Sequence, residues 1–208
     1  SVIDGSAEPP PPDKVLTGLY PGSILINKNA NLVYVLENGP LAMNPDTAKE
    51  PDNPTLSMTI FDRRPSYNFY NYVKFPLDGA VPVGMACDES RNRLYVARAR
   101  TGILESLGYP VDNSGIIDLF EGTTYKGNIV SLTPPGPSTS GLGATLDQII
   151  DVDPVNNYVY LCGAQNSGQI AFFHGDTHSL HYLKVGAAGD SPAALKYVKY
   201  EGTAGRIF

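Results

Sequence analysis

The stretch QIIDVDPVNNYVYLCGAQNSGQIAFFHGDTHSLHYLKVG, residues 148–186, decides how this chain is read. Four short apolar runs (QIIDV, YVYLC, QIAFF and LHYLKV) alternate with the turn clusters DPVNN, GAQNSG and HGDTHS. Each run is strand-length, rich in Val, Ile, Tyr and Phe, and bounded by residues that turn a chain. Runs this short fall below an ordinary helix. The simplest product is a four-stranded antiparallel meander, with strands A, B, C and D in chain order. A single such sheet has two faces and two edges, so it needs neighbours to be stable.

The neighbours are in the same chain. NLVYV, NRLYV, NYVYL and GRIF place Asn31, Asn92, Asn157 and Gly205 three residues before Tyr34, Tyr95, Tyr160 and Phe208. Asn and Gly best tolerate the positive φ that a tight A–B turn requires. The C strand is expected to recur as SVIDG from Ser1, TIFDR from Thr59, IVSLT from Ile129 and AFFHG from Ala171. Repetition of a four-stranded unit every 40–50 residues or so predicts an all-β fold, a β-propeller. Residues 1–208 are read as one domain of four C-D-A-B units. They form either a closed four-bladed ring or part of a larger propeller whose other blades lie elsewhere, for instance on another chain. Extra length falls between B and C, as insertions at 37–56 and 98–127.

An aromatic at the centre of RLYV, then VIDG and a strand ending in Gly, resembles the YVTN-type β-propeller repeat. That group shades into lactonase-like and NHL-like propellers, and the resemblance covers nearly the whole chain in four units. It implies architecture more than activity, because such propellers include enzymes, cell-surface proteins and scaffolds. The first functional expectation is a non-catalytic binding or assembly module, extracytoplasmic, that engages a protein or a glycan. The rival is a lactonase-like hydrolase, or a propeller subunit of a redox enzyme with its active site shared with another chain. Lactonase-like members hold a divalent cation with Glu, Asn and Asp from several blades, which makes such a cation the one cofactor expectation. The A strands here open with Ser23, Gly84, Gln148 and Ala193, a poor oxygen-ligand set.

Composition fits an ordered, turn-rich β-protein. Among 208 residues only 17% are charged, while Gly (21) and Pro (18) are plentiful. The net charge of −6 with no Lys/Arg cluster argues against nucleic-acid binding. No apolar run is long enough for a membrane-spanning helix. The start at Ser1 without Met fits a processed or partial chain. Cys87 and Cys162 allow a disulfide but do not imply one.

Candidate chemistry gathers where loops are long. In a meander the D–A links and B–C loops share one end of the sheets, and long loops on a rigid scaffold carry function. Asp78, Asp147 and Asp190 lie in D–A links, and Arg98, Arg100 and Gln165 just after B strands. Such groups can bind a metal, a sugar or a peptide, or simply pair with one another. In the second insertion, GILESLGY is expected as a short helix, and the apolar SGIIDLF as loop folded onto the scaffold. Strand C is then expected at 128–132 and D at 142–146. His174, His178 and His181 share the C–D turn HGDTHSLH at the opposite end, as zinc or copper candidates or as a plain polar hairpin. Asp151 and Asp153 lack the later Gly and Glu of a calcium loop. No Ser-His-Asp, CxxC, P-loop or GxGxxG pattern is present.

Overall fold

Short apolar runs become strands, of four to nine residues in each of the three four-stranded sheets. A computed structural model describes residues 21–37, 57–63, 68–76, 78–100, 114–132, 150–162, 169–184, 200–201 and 206–207. There is no helix among the described residues. The chain divides into two compact units, Ser1–Phe75 and Pro76–Phe208. The expected strands at 1–4, 15–19 and 193–197, the short helix at 102–109 and the insertion at 38–56 fall outside the described residues.

The first unit holds one antiparallel sheet in chain order: β1 (Pro21–Asn27), β2 (Leu32–Glu37), β3 (Ser57–Asp62) and β4 (Asn68–Lys74). Tyr34 pairs with Leu25 on one side and Ile60 on the other. Tyr34, Leu36, Met58 and Ile60 are fully buried on that face, and Val33, Val35 and Phe61 pack together on the opposite one.

The second unit holds two more such sheets. One is β5 (Ala80–Asp88), β6 (Arg93–Arg100), β7 (Gly115–Glu121) and β8 (Thr124–Leu132). The other is β9 (Ile150–Asp153), β10 (Tyr158–Cys162), β11 (Gln169–His174) and β12 (Leu180–Lys184), the four runs of residues 148–186. A short pair follows, β13 (Tyr200–Glu201) with β14 (Arg206–Ile207).

One expectation is corrected. SGIIDLF is not an inserted loop but β7, the third strand of its sheet, paired with β6 through Val96–Asp118 and with β8 through Ile117–Val130. Its side chains are buried from Gly115 to Phe120, which an exposed loop could not achieve. Gly122 (φ 58°) and Thr123 then make a tight hairpin into β8. Residues 128–132 are therefore the second half of the fourth strand, not strand C. The insertion expected at 98–127 shrinks to residues 101–113, which fall outside the described residues, as does the D strand expected at 142–146.

A shared turn builds all three sheets. Asn27, Asp88 and Asp153 end their first strands and accept backbone N–H bonds from the turn: Ala30 at 3.0 Å, Ser90 at 3.0 Å and Val155 at 2.9 Å. Four residues later Asn31, Asn92 and Asn157 take left-handed φ of 57°, 55° and 58°. Their carbonyls accept, each at 2.8 Å, from Arg63, Gly122 and Gly175 at the end of the third strand. The A–B turn is thus stitched to the C–D turn, which fixes strand register.

Within the second unit, β5 lies against β9. Tyr95 meets Phe173 edge-on at 5.8 Å, both rings fully buried. Burying a side chain such as Phe173 contributes roughly 1.5–3 kcal/mol. Arg91 donates to the Pro154 carbonyl at 2.7 Å, and Arg93 to the Gly175 carbonyl at 3.2 Å and Asp176 at 2.5 Å. Gly175 is required there: a Cβ would collide with Asn157 Oδ1 and with Tyr95 Oη.

Candidate functional site

At one end of sheet β5–β8 the structure brings together three of the expected residues, Asp78, Arg98 and Arg100. Asp78 lies just before β5, and both arginines close β6. Arg98 points onto the face of Leu94 and Val96, where alternation also places Asp118 of β7. Its Nε donates to Asp118 Oδ2 at 2.6 Å and its Nη1 to Asp78 Oδ1 at 2.7 Å. Tyr125 of β8 donates its hydroxyl to Asp118 Oδ1 at 3.0 Å. Asp78 Oδ1 also accepts from the Ala80 backbone at 3.1 Å.

Burial decides what this cluster can do. Arg98 is 1% exposed and Asp118 fully buried, whereas the Asp78 side chain keeps 31% exposure. Burial opposes the Arg98 charge, but the hydrogen bond and charge of Asp118, with those of Asp78, outweigh it and hold the guanidinium firmly charged. Tyr125 is pushed up to about 12, first by burial and then by the Asp118 carboxylate. The phenol stays a donor at neutral pH.

Arg100 is the outward member. It donates through Nε to the Asp78 carbonyl at 3.2 Å and through Nη1 to Ser114 Oγ at 3.0 Å. It thus ties the D–A link to the start of β7 while remaining half-buried. Asp147, Gln165 and Asp190 lie outside the described residues.

Sequence reasoning missed Asp118 and Tyr125. The available signal was Phe61-Asp62-Arg63, Phe120-Glu121-Gly122 and Phe173-His174-Gly175, which align the ends of three C strands. That alignment puts Asp118 inside an apolar strand beside Arg98, and a buried carboxylate calls for a partner.

The histidines sit at the far end. His174 and His181 are taken up in an aromatic face: His174 meets Tyr158 edge-on at 5.4 Å, and His181 stacks on Phe172 at 5.4 Å. His174 Nδ1 accepts from the Asp176 backbone at 3.3 Å. His178 takes φ of 57° and donates its backbone N–H to the His174 carbonyl. Among the described residues no three His, Cys, Asp or Glu side chains are grouped to hold a metal ion. Cys87 is a free thiol, pushed up to about 12 by burial and then by Glu89 and Asp88, so it is a poor nucleophile.

No protein-family model matches the chain, and no curated protein matches its sequence. Solved structures do match. A hypothetical selenium-binding protein from Sulfolobus tokodaii aligns at TM-score 0.53 and 13% identity, covering 80% of this chain and 39% of its own. A chain of a nidogen/laminin complex aligns at 0.48 and 14%, covering 88% and 54%. A proposed 6-phosphogluconolactonase from Bacteroides uniformis aligns at 0.36 and 13%, covering 78% and 55%. The chain spans about half, or less, of the length of these chains. The likeness is one of fold alone, and among the described residues that fold is all-β, with three four-stranded antiparallel sheets. Among the described residues no helix is long and apolar enough to cross a membrane.

Proposed function

We propose that the chain is a non-catalytic binding or assembly module of YVTN-type propeller design, working outside the cytoplasm. It engages a protein or a glycan through the end of the sheets that carries the D–A links and the long B–C connections. The observation that supports this reading is the use made of Arg98. A buried guanidinium held by two carboxylates is committed to positioning backbone, not to turning over a substrate. It fixes the D–A link and β7 as a rigid base from which Asp78 and Arg100 face outward.

A glycan array probed with labelled chain, read beside metal analysis of the purified protein, tests this. Binding of one glycan class that Arg100→Ala weakens at least several-fold, with folding unchanged, is the expected result. A tightly held stoichiometric divalent cation, with lactone hydrolysis lost on its removal, would support the hydrolase reading instead.

A further inference from the structure

Within the second unit, one turn carries polar contacts from sheet β9–β12 to sheet β5–β8. Residues 175–179 join β11 to β12. Gly175 donates its N–H to the Asn157 carbonyl at 2.8 Å and packs against Tyr95 Oη. Arg93 Nη1, from β6, reaches the Gly175 carbonyl at 3.2 Å and Asp176 Oδ1 at 2.5 Å. Arg93 Nε faces Glu121 of β7 at 3.7 Å, and Lys126 of β8 holds Glu121 at 3.0 Å. Arg93 is therefore a latch across the seam, shared between a carboxylate of its own sheet and one of the next.

His174 shapes the same turn from the other side. Its Nδ1 accepts from the Asp176 backbone N–H at 3.3 Å, and its carbonyl accepts from His178 at 2.9 Å. Asp176 thus stands between an imidazole and a guanidinium. Its carboxyl is held below the ordinary 3.8 first by the Arg93 hydrogen bond, with smaller help from Asn157, the Arg93 charge and the charged form of His174. A neutral imidazole nitrogen without a proton accepts a hydrogen bond, whereas a protonated imidazole only donates. Histidine is the side-chain type that ordinarily changes charge between pH 5 and 8. The other titratable groups around the ring are committed elsewhere: Asp153 of β9 accepts from Val155 and Asn156, and His181 of β12 stacks on Phe172. Tyr158 of β10 meets the imidazole with its edge.

We propose that His174 is a pH-sensitive switch that controls the Arg93–Asp176 latch between these two sheets. When Nδ1 takes a proton from solvent it stops accepting the Asp176 N–H. The new N–H then donates to the Asp176 carboxylate, a charge-assisted bond that draws Asp176 off Arg93. Arg93 keeps Glu121, so its charge is not stranded. The seam is latched at neutral pH and loosened in mild acid. The switch lies at the opposite end of the sheets from the ligand-binding end proposed above and does not rest on it.

Nuclear magnetic resonance titration of the full chain from pH 8 to pH 5 tests it. The Asp176 amide and the Arg93 Nε–H signals are expected to move with one midpoint, that of the His174 ring. Exchange of the Asp176 amide, corrected for its intrinsic pH dependence, is expected to rise roughly fivefold in acid, the factor one ordinary hydrogen bond is worth. His174→Gln accepts a hydrogen bond without ever gaining charge, so the shared titration disappears and the latch persists at pH 5. His178→Asn, in the same turn, keeps the shared titration. Asp176→Asn leaves the His174 ring titrating but uncouples the Arg93 signal from it. An Arg93 signal that does not follow the His174 ring in the wild-type chain overturns the proposal, and so does a shared titration that survives in His174→Gln.

Discussion

Arg98 and Asp118 meet on one face of adjacent strands through two contacts, Nε to Oδ2 at 2.6 Å and Nη2 to Oδ1 at 3.4 Å. Neither side chain reaches solvent to any useful extent. Breaking a buried pair by removing one partner leaves the other charged and desolvated, at a cost of about 3–5 kcal/mol. Arg98→Ala is expected to lose stability on that scale in urea denaturation. Arg98→Met combined with Asp118→Leu recovers most of the loss, since both charges then leave the core together.

Gly175 sits where a methyl group would strike Asn157 Oδ1 and Tyr95 Oη. Gly175→Ala is expected to destabilise by about 1–3 kcal/mol through overpacking. Tyr95 Oη is buried and makes no hydrogen bond of good geometry among the described residues. Tyr95→Phe is therefore expected to be neutral or slightly stabilising. Combining it with Gly175→Ala removes one of the two colliding atoms, so the double variant is expected to lose less than Gly175→Ala alone. Thermal melts of the three variants check this.

Asn31 holds φ of 57° in the turn that sets the register of β1 and β2. Asn31→Ala forces a Cβ-bearing residue without a local polar side chain into that region, at a cost of about 1–2 kcal/mol. Asn31→Gly is expected to be close to neutral by the same measurement.

Asp88 is pushed up by burial, but hydrogen bonds from Ser90 and Arg91 outweigh this and hold its carboxyl below the ordinary 3.8. The folded value lies below the unfolded one. Its stabilising contribution is present above the unfolded value and is lost as pH falls through the folded one. Asp88→Asn is expected to lower stability at neutral pH and flatten the acid limb below about pH 4. Urea midpoints measured against pH read both effects.

Tyr125 behaves in the opposite sense. Its folded value, about 12, lies above the ordinary 10.0. Its contribution is complete below pH 10 and is lost as pH rises towards 12. Ultraviolet titration is expected to show late tyrosines, among them Tyr95, raised by burial, and Tyr125, whose step is absent from Tyr125→Phe. In Asp118→Asn the Tyr125 step comes earlier, because the neighbouring charge is gone.

Much of this fold was legible in local pattern. The runs of residues 148–186 are β9 to β12, and Asn31, Asn92 and Asn157 take the left-handed turns their type predicts. Pattern and structure part at residues 98–127, where chain length suggests an insertion and the sheet instead gains a strand. Strand β7 has only a short apolar run, and its identity rests on pairing with β6 and β8 across the sheet. Of the candidate site, Asp78, Arg98 and Arg100 were visible as loop-end charges, whereas Asp118 and Tyr125 were not. Their roles come from partners 20 and 7 residues away in sequence.

Strand runs and turn residues are short-range properties, set by β-branching, ring size and tolerance of positive φ, so amino-acid order alone specified them. Which face each strand buries was decided by packing. Tyr95 and Tyr160 occupy the same place in the same motif, yet one is fully buried and the other half-open. The difference is not in their own residues. Among the described residues, the Phe173 face of the next sheet stands against Tyr95, and only the folded chain supplies that contact.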